Sequence, residues 1–170
     1  MSSFLGIEFG SGGETKRDGF KTCDIRDVEG VDYVCPAWEI HKHVLPNSVD
    51  EIWSRHFFEH LTFVQGEMVL DSWYNILKPG GKVEMKLPNM EFHIQQWIRR
   101  KDSKEFEWAK AGIWGWQREG ESETWDVHKS GYDEKTLTEL LTKHNFTNII
   151  SHNSTKNVEL IFEFYKPKED

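Results

Sequence analysis

A short apolar run, Leu5-Gly6-Ile7-Glu8-Phe9, breaks directly into a glycine cluster, Gly10-Ser11-Gly12-Gly13, and a second apolar segment then ends on Asp24. The first run reads as a buried strand. The glycines after it let backbone N–H groups approach a ligand without interference from Cβ atoms. This is the layout of a nucleotide-type cofactor loop, although the spacing is G-x-G-G and not the G-x-G-x-x-G of dinucleotide folds.

The rest of the chain extends the pattern. Strands are expected at about 4–9, 20–25, 31–35 and 49–54, the last following the turn Pro46-Asn47-Ser48. A helix follows over about 57–77, with Leu61, Val64, Met68, Val69, Trp73 and Ile76 as its apolar stripe. Lys78-Pro79-Gly80-Gly81 ends that helix, and Lys82-Val83-Glu84-Met85-Lys86-Leu87 alternates as a strand. A helix over about 90–101 carries Ile94, Trp97 and Ile98 and ends in the cations Arg99, Arg100, Lys101 and Lys104, as the C-terminal end of a helix favours. Residues 111–132 have no clean period and read as an irregular lid. Asp133 caps a helix with Leu137, Leu140 and Leu141 on one face, and Asn145 stops it in the left-handed region. Phe146–His152 and Val158–Tyr165 then form a hairpin around 153–157, and the tail from Lys166 is frayed. Alternating strands and helices define an α/β layer fold.

At 170 residues the chain makes one domain, 1–170. A formal charge of −8 disfavours nucleic acid or an anionic membrane as the main partner. Cys23 and Cys35, the two cysteines, are too few for a disulfide framework and suit buried positions in a reducing compartment. No stretch reaches membrane-span length and no signal-peptide core is present, so a cytoplasmic location is expected. Eight tryptophans are many for this length and point to aromatic pocket walls as well as core filling.

The stretch Leu45–Leu61, followed at the family's spacing by Ile76-Leu77-Lys78-Pro79-Gly80-Gly81, resembles the class I S-adenosylmethionine-dependent methyltransferases, and the resemblance runs over nearly the whole chain. It implies a Rossmann-like, mostly parallel sheet of order 3-2-1-4-5-7-6 with strand 7 antiparallel, and the cofactor over the carboxyl ends of strands 1, 2 and 4. By that resemblance Gly10 and Gly12 face the methionine part of the cofactor, and Glu8 orders the loop or binds the amino group. Asp24 takes both ribose hydroxyls. Ala37 and Trp38 lie near the adenine, and Ser54, Arg55 and His56 line the inner wall.

Three features depart from the family. The first strand begins almost at Met1, so the N-terminal helix that covers the cofactor in larger relatives is expected to be absent or supplied by something else. The Gly10–Phe20 link is short for a parallel crossover, so its helix is reduced to a turn. Cys35-Pro36-Ala37 stands where many relatives carry an Asp for the adenine amino group.

His128, between Asp126 and Tyr132, is the candidate general base, with Asp126 as its orienting carboxylate. Trp114, Trp116 and Trp125 either stack on an acceptor ring or bury the lid. His56 and His60 lie four apart around Glu59, but the order is not H-E-x-x-H and sequence shows no third ligand, so no metal is expected and Glu59 and His60 are helix-start residues beside the crevice. The resulting expectation is a methyltransferase using S-adenosylmethionine, with S-adenosylhomocysteine as product, on a small-molecule or glycan-like acceptor. A homodimer could close the site. The competing reading is a non-catalytic binding module of the same fold.

Overall fold

The computed structural model describes residues 4–117, 126–152 and 158–168. Seven strands form one sheet in the order β3-β2-β1-β4-β5-β7-β6. They are β1 Gly6–Phe9, β2 Phe20–Asp24, β3 Tyr33–Val34, β4 Val49–Arg55, β5 Leu77–Pro88, β6 Thr147–Ser151 and β7 Glu159–Tyr165. β1 to β5 run parallel, and β7 is antiparallel to both neighbours. The order and the reversed strand are those the resemblance implied. Connections leave β1 and β4 in opposite directions, which opens a crevice at their carboxyl ends.

Among the described residues, one face of the sheet carries the apolar core. Ile7, Phe9, Ile52, Val83, Met85, Leu87, Phe162 and Phe164 are buried on that side, closed over by Trp73, Ile76, Leu137 and Leu141. The opposite face alternates to Glu8, Glu51, Trp53, Lys82, Glu84 and Lys86. Alternation in β5 reflects this one-sided packing, since a parallel strand covered on both faces reads as a continuous apolar run.

The helix expected over 57–77 is two elements. A 3₁₀ turn, Phe58–His60, ends in the extended Leu61, and α1, Phe63–Ile76, starts from Thr62, whose hydroxyl accepts from Gln65 N while Gln65 Oε1 accepts from Thr62 N. Its buried face is Gly66, Val69, Leu70, Ser72, Trp73 and Ile76, so the expected stripe is corrected: Val64 and Met68 are exposed. β5 begins at Leu77 and takes in the Lys-Pro-Gly-Gly segment.

Helices α2, Met90–Arg99, and α3, Ser103–Trp114, pack on each other. The second corrects the lid expectation, because residues 111–114 are helical; Gly115 then bridges Val127. Asp133 does cap α4, Glu134–Lys143, accepting from Thr136 N at 2.7 Å, and Asn145 has φ 64°. A further 3₁₀ helix, Ala37–Lys42, packs on α1. No helix forms between Gly10 and Phe20, as the short link required. Trp125, the hairpin turn 153–157 and the last two residues lie outside the described residues. Among the described residues no helix is long and apolar enough to cross a membrane.

Candidate functional site

A cavity of about 220 Å³ opens at the carboxyl ends of β1, β2 and β4, lined among others by Gly10, Asp24, Ala37, Trp38, His56 and Phe57. Asp24 ends β2 and is only 6% exposed. One carboxylate oxygen accepts from Gly12 N at 2.9 Å and Arg26 Nη2 at 3.0 Å, the other from Arg26 N and Arg26 Nε, each at 3.0 Å. Burial works against its ionisation, but the Arg26 guanidinium and these backbone donors outweigh it and hold the carboxyl below its usual range. The Arg26 fork presents two donors to the two oxygens, as a vicinal diol would, and its side chain is 43% exposed and able to swing away. The two Asp24 oxygens are therefore an acceptor pair of the kind a ribose diol requires.

Gly12 serves this cavity through its bond to Asp24; neither it, Glu8 nor Ser54 is in the lining. Glu8, on the other face of the sheet, accepts from Thr15 Oγ1 and Lys16 N, both at 2.8 Å, and so orders the glycine loop. Ser54 is fully buried, and its hydroxyl has no partner among the described residues. Cys23 and Cys35 are free, buried and 3.8 Å apart at sulfur, in the wall of the same cavity.

A second cavity, of about 470 Å³, adjoins the first; His56, His60 and Asp126 line both. Its own walls include Glu59, His93, Trp108, Gly112, Trp116 and His128. His56 has φ 48° at the end of β4 and lies between two carboxylates, with Nδ1 3.2 Å from Glu59 Oε1 and Nε2 2.7 Å from Glu159 Oε1. The bond to Glu59 raises its pKa against the cost of burial, with Glu159 adding to the rise. His128 is held by its backbone N–H to the Trp114 carbonyl at 3.1 Å, while its Nδ1 lies 3.1 Å from the Gly112 carbonyl. A carbonyl only accepts, so Nδ1 carries the proton and Nε2 keeps the lone pair in the neutral ring. Burial lowers the His128 pKa, offset in part by Glu59.

The expected His128–Asp126 pair is not formed. Asp126 is exposed and faces Arg26, whose charge it supports, and the Gly112 carbonyl orients His128 in its place. Trp116 reaches the second cavity, whereas Trp114 packs edge-on against Trp97 at 5.0 Å. Sequence reasoning passed over Arg26, His93, Trp108 and Glu159. The first follows Asp24 by two residues and was legible as its salt-bridge partner; the other three enter through α2, α3 and β7, whose meeting at this crevice no local pattern encodes.

A sheet of this order, with a buried acidic residue closing β2 beside a crevice at the switch point, defines the class I methyltransferase fold. The chain belongs to a family of methyltransferase domains, whose model matches residues 6–151. No curated protein matches it in sequence. Among solved structures it is similar to an S-adenosylmethionine-dependent methyltransferase from Methanosarcina mazei, with 16% identity, TM-score 0.64, and 99% of this chain and 95% of that one covered. It is also similar to the 1,6-didemethyltoxoflavin-N1-methyltransferase of Burkholderia thailandensis, solved with 1,6-didemethyltoxoflavin and S-adenosylhomocysteine, at 13% identity, TM-score 0.61 and 96% and 71% coverage. The Haemonchus contortus phosphoethanolamine N-methyltransferase 2, in complex with S-adenosyl-L-methionine, matches at 15% identity and TM-score 0.63 over 98% of this chain and 49% of that one. Against several such structures the chain spans only 49% to 61% of their length. At these identities the likeness is one of fold.

Proposed function

We propose that this chain binds S-adenosylmethionine in the cavity at Asp24 and transfers its methyl group to a small-molecule acceptor held in the adjoining cavity. The observation that carries this reading is the shared wall: His56, His60 and Asp126 line both cavities, so ligands in the two would meet there. Asp24 would take the ribose diol as Arg26 withdraws, and Ala37 and Trp38 would flank the adenine. Glu8 and Gly12 act one step back, by fixing the loop and the Asp24 carboxylate. When bound, the cofactor supplies a methyl group already activated on a sulfonium sulfur.

The protein's own task is then to align the acceptor, take its proton and keep water out. His128 is the residue for the proton. Its Nδ1–H is committed to the Gly112 carbonyl, and burial keeps the ring neutral near pH 7, so Nε2 can accept the proton as the new bond to carbon forms and the carbon–sulfur bond breaks. Trp108 and Trp116 offer aromatic walls to the acceptor. The Burkholderia neighbour, solved with a small molecule in place, supports that class of acceptor.

Calorimetric titration with S-adenosylmethionine and S-adenosylhomocysteine tests the cofactor step. Binding of both is expected, weakened about tenfold or more in Asp24→Ala, the loss of a charged hydrogen-bond acceptor. Absence of binding to the wild-type chain would refute the reading.

A further inference from the structure

We propose that Glu59, His60 and His128 form a site for a first-row divalent cation. Sequence places Glu59 and His60 together and His128 far away. The fold brings all three to one wall of the second cavity, with one potential donor atom from each inside a 4.8 Å span.

Two further observations point to a ligand there. Glu59 is 1% exposed, and its Oε2 is buried without a hydrogen-bond partner among the described residues, while Oε1 receives His56 Nδ1. A buried carboxylate oxygen left unpartnered is costly, and a cation would satisfy it. The two histidines share one arrangement: His60 Nδ1 lies 3.2 Å from the Val127 carbonyl and His128 Nδ1 lies 3.1 Å from the Gly112 carbonyl. Each ring must donate from Nδ1, so each keeps a lone pair on Nε2. Fixing the far nitrogen to a carbonyl is how metal-ligating histidines are set in tautomer and orientation.

The frame around them is tied. The Glu59 carbonyl accepts from Lys129 N at 2.8 Å and Ser130 N at 3.2 Å, which anchors the His128 segment to the turn bearing Glu59 and His60. The imidazoles meet edge to face, with centroids 5.1 Å apart. Donors sit about 2 Å from such an ion, so these three reach it by small side-chain rotations.

Two neutral imidazoles and one carboxylate favour zinc, cobalt, iron or manganese over magnesium or calcium, which take all-oxygen shells. Three protein ligands leave positions open, as in catalytic metal sites. On the methyl-transfer reading, a bound ion would occupy the His128 Nε2 lone pair that takes the acceptor proton in the metal-free chain, so ion binding and the base role of His128 exclude each other. Ion binding itself does not depend on that reading.

The test uses the full chain, free of any affinity tag and stripped with chelator, titrated with Co²⁺ and followed by visible absorption and by elemental analysis after dialysis. One cobalt per chain is expected, with affinity at least tenfold lower in Glu59→Gln, His60→Gln and His128→Gln and unchanged in the exposed-residue control His43→Gln. No saturable binding, or equal binding by folded variants, would overturn the site. Should a variant fail to fold, substoichiometric Co²⁺ added to wild type must shift the His60 and His128 ring resonances before that of His43; the reverse order overturns the proposal. S-adenosylmethionine titrated into the metal-free chain separates failure of this site from failure of the cofactor reading.

Discussion

Gly13, outside both cavities, is a position where one added methyl group should be costly. Its φ is +95°, and a Cβ built there lies 2.2 Å from the Glu29 carbonyl oxygen; reciprocally, a Cβ on Gly30 lies 2.3 Å from the Gly13 carbonyl oxygen. Two backbone turns are thus packed against each other, joining the β1–β2 link to the β2–β3 turn. Gly19 supplies the control, with a φ of +80° and nothing within 4 Å of its added Cβ. An Ala at Gly19 pays about 1–2 kcal/mol for the left-handed backbone and regains about 0.4–1 kcal/mol from the stiffer unfolded chain. Its net cost is about 0.5–1 kcal/mol. Gly13→Ala bears the same cost plus about 1–3 kcal/mol for parting two backbones that cannot rotate out of the way. The sum is about 1.5–4 kcal/mol, a fall in Tm of roughly 3–16 °C for a domain of this size, against roughly 1–4 °C for Gly19→Ala. Differential scanning calorimetry of the two variants beside wild type measures this directly. Equal Tm losses would refute the argument, since the backbone approach would then contribute nothing.

Thr62→Ala removes the capping box of α1 at an exposed position, where no packing is lost, and should cost about 1 kcal/mol, read as a lower urea midpoint at unchanged m-value. His93 is buried, and burial pushes its imidazole below the ordinary value, opposed by Gln96 and the Val158 carbonyl. The unfolded chain then binds the proton more readily, so this contribution to stability is whole above about pH 7, starts to fall near the unfolded value of about 6.5 and is lost as pH drops through the lower folded value. Wild type minus His93→Gln stability, measured between pH 5 and pH 7.5, should decline on acidification; a flat difference would contradict the sign.

The strand order followed from the family resemblance carried by the run from Leu45 to Leu61 and by Lys78-Pro79-Gly80-Gly81, whereas the glycine corner rests on local patterns: an apolar run into glycines and Asp24 at a strand end. What escaped was set by tertiary contact. The buried face of α1 includes Gly66 and Ser72, which no apolar stripe would select; Gly66 is buried because Phe58 and the Tyr132 hydroxyl crowd it, within 3.1 and 3.2 Å of an added Cβ. Val64 and Met68 look apolar and face solvent. Helix α3 hid behind a mixed-charge sequence whose buried residues are Ala109, Ala111 and Gly112, too small to register as a stripe. One signal did announce it: Asp102 caps Glu105 N at 2.8 Å, in a D-x-x-E pattern. The histidine and glutamate cluster was half visible, as His56-x-x-Glu59-His60, and its third member joins only through the backbone ties between residues 59 and 129–130.

The alternation in β5 and the absence of a helix between β1 and β2 have one physical origin. A crossover helix there would cover one face of the sheet and demand apolar residues on it; without it, that face holds Glu8, Glu51, Trp53 and Glu84. Arg17, from the link itself, takes the helix's place. Its guanidinium reaches Glu51 at 3.0 Å and Glu84 at 2.5 Å and lies 5.0 Å from the Trp53 ring centre. With no helix to anchor it, the glycine loop takes its shape from specific ties: Glu8 to Thr15 and Lys16, Gly13 against Glu29 and Gly30, and Gly12 to Asp24. The last of these ends on the carboxylate that lines the first cavity. Loop order and the placement of Asp24 are therefore mechanically linked, so a lesion at Gly13, outside both cavities, should weaken adenosyl-ligand binding along with stability.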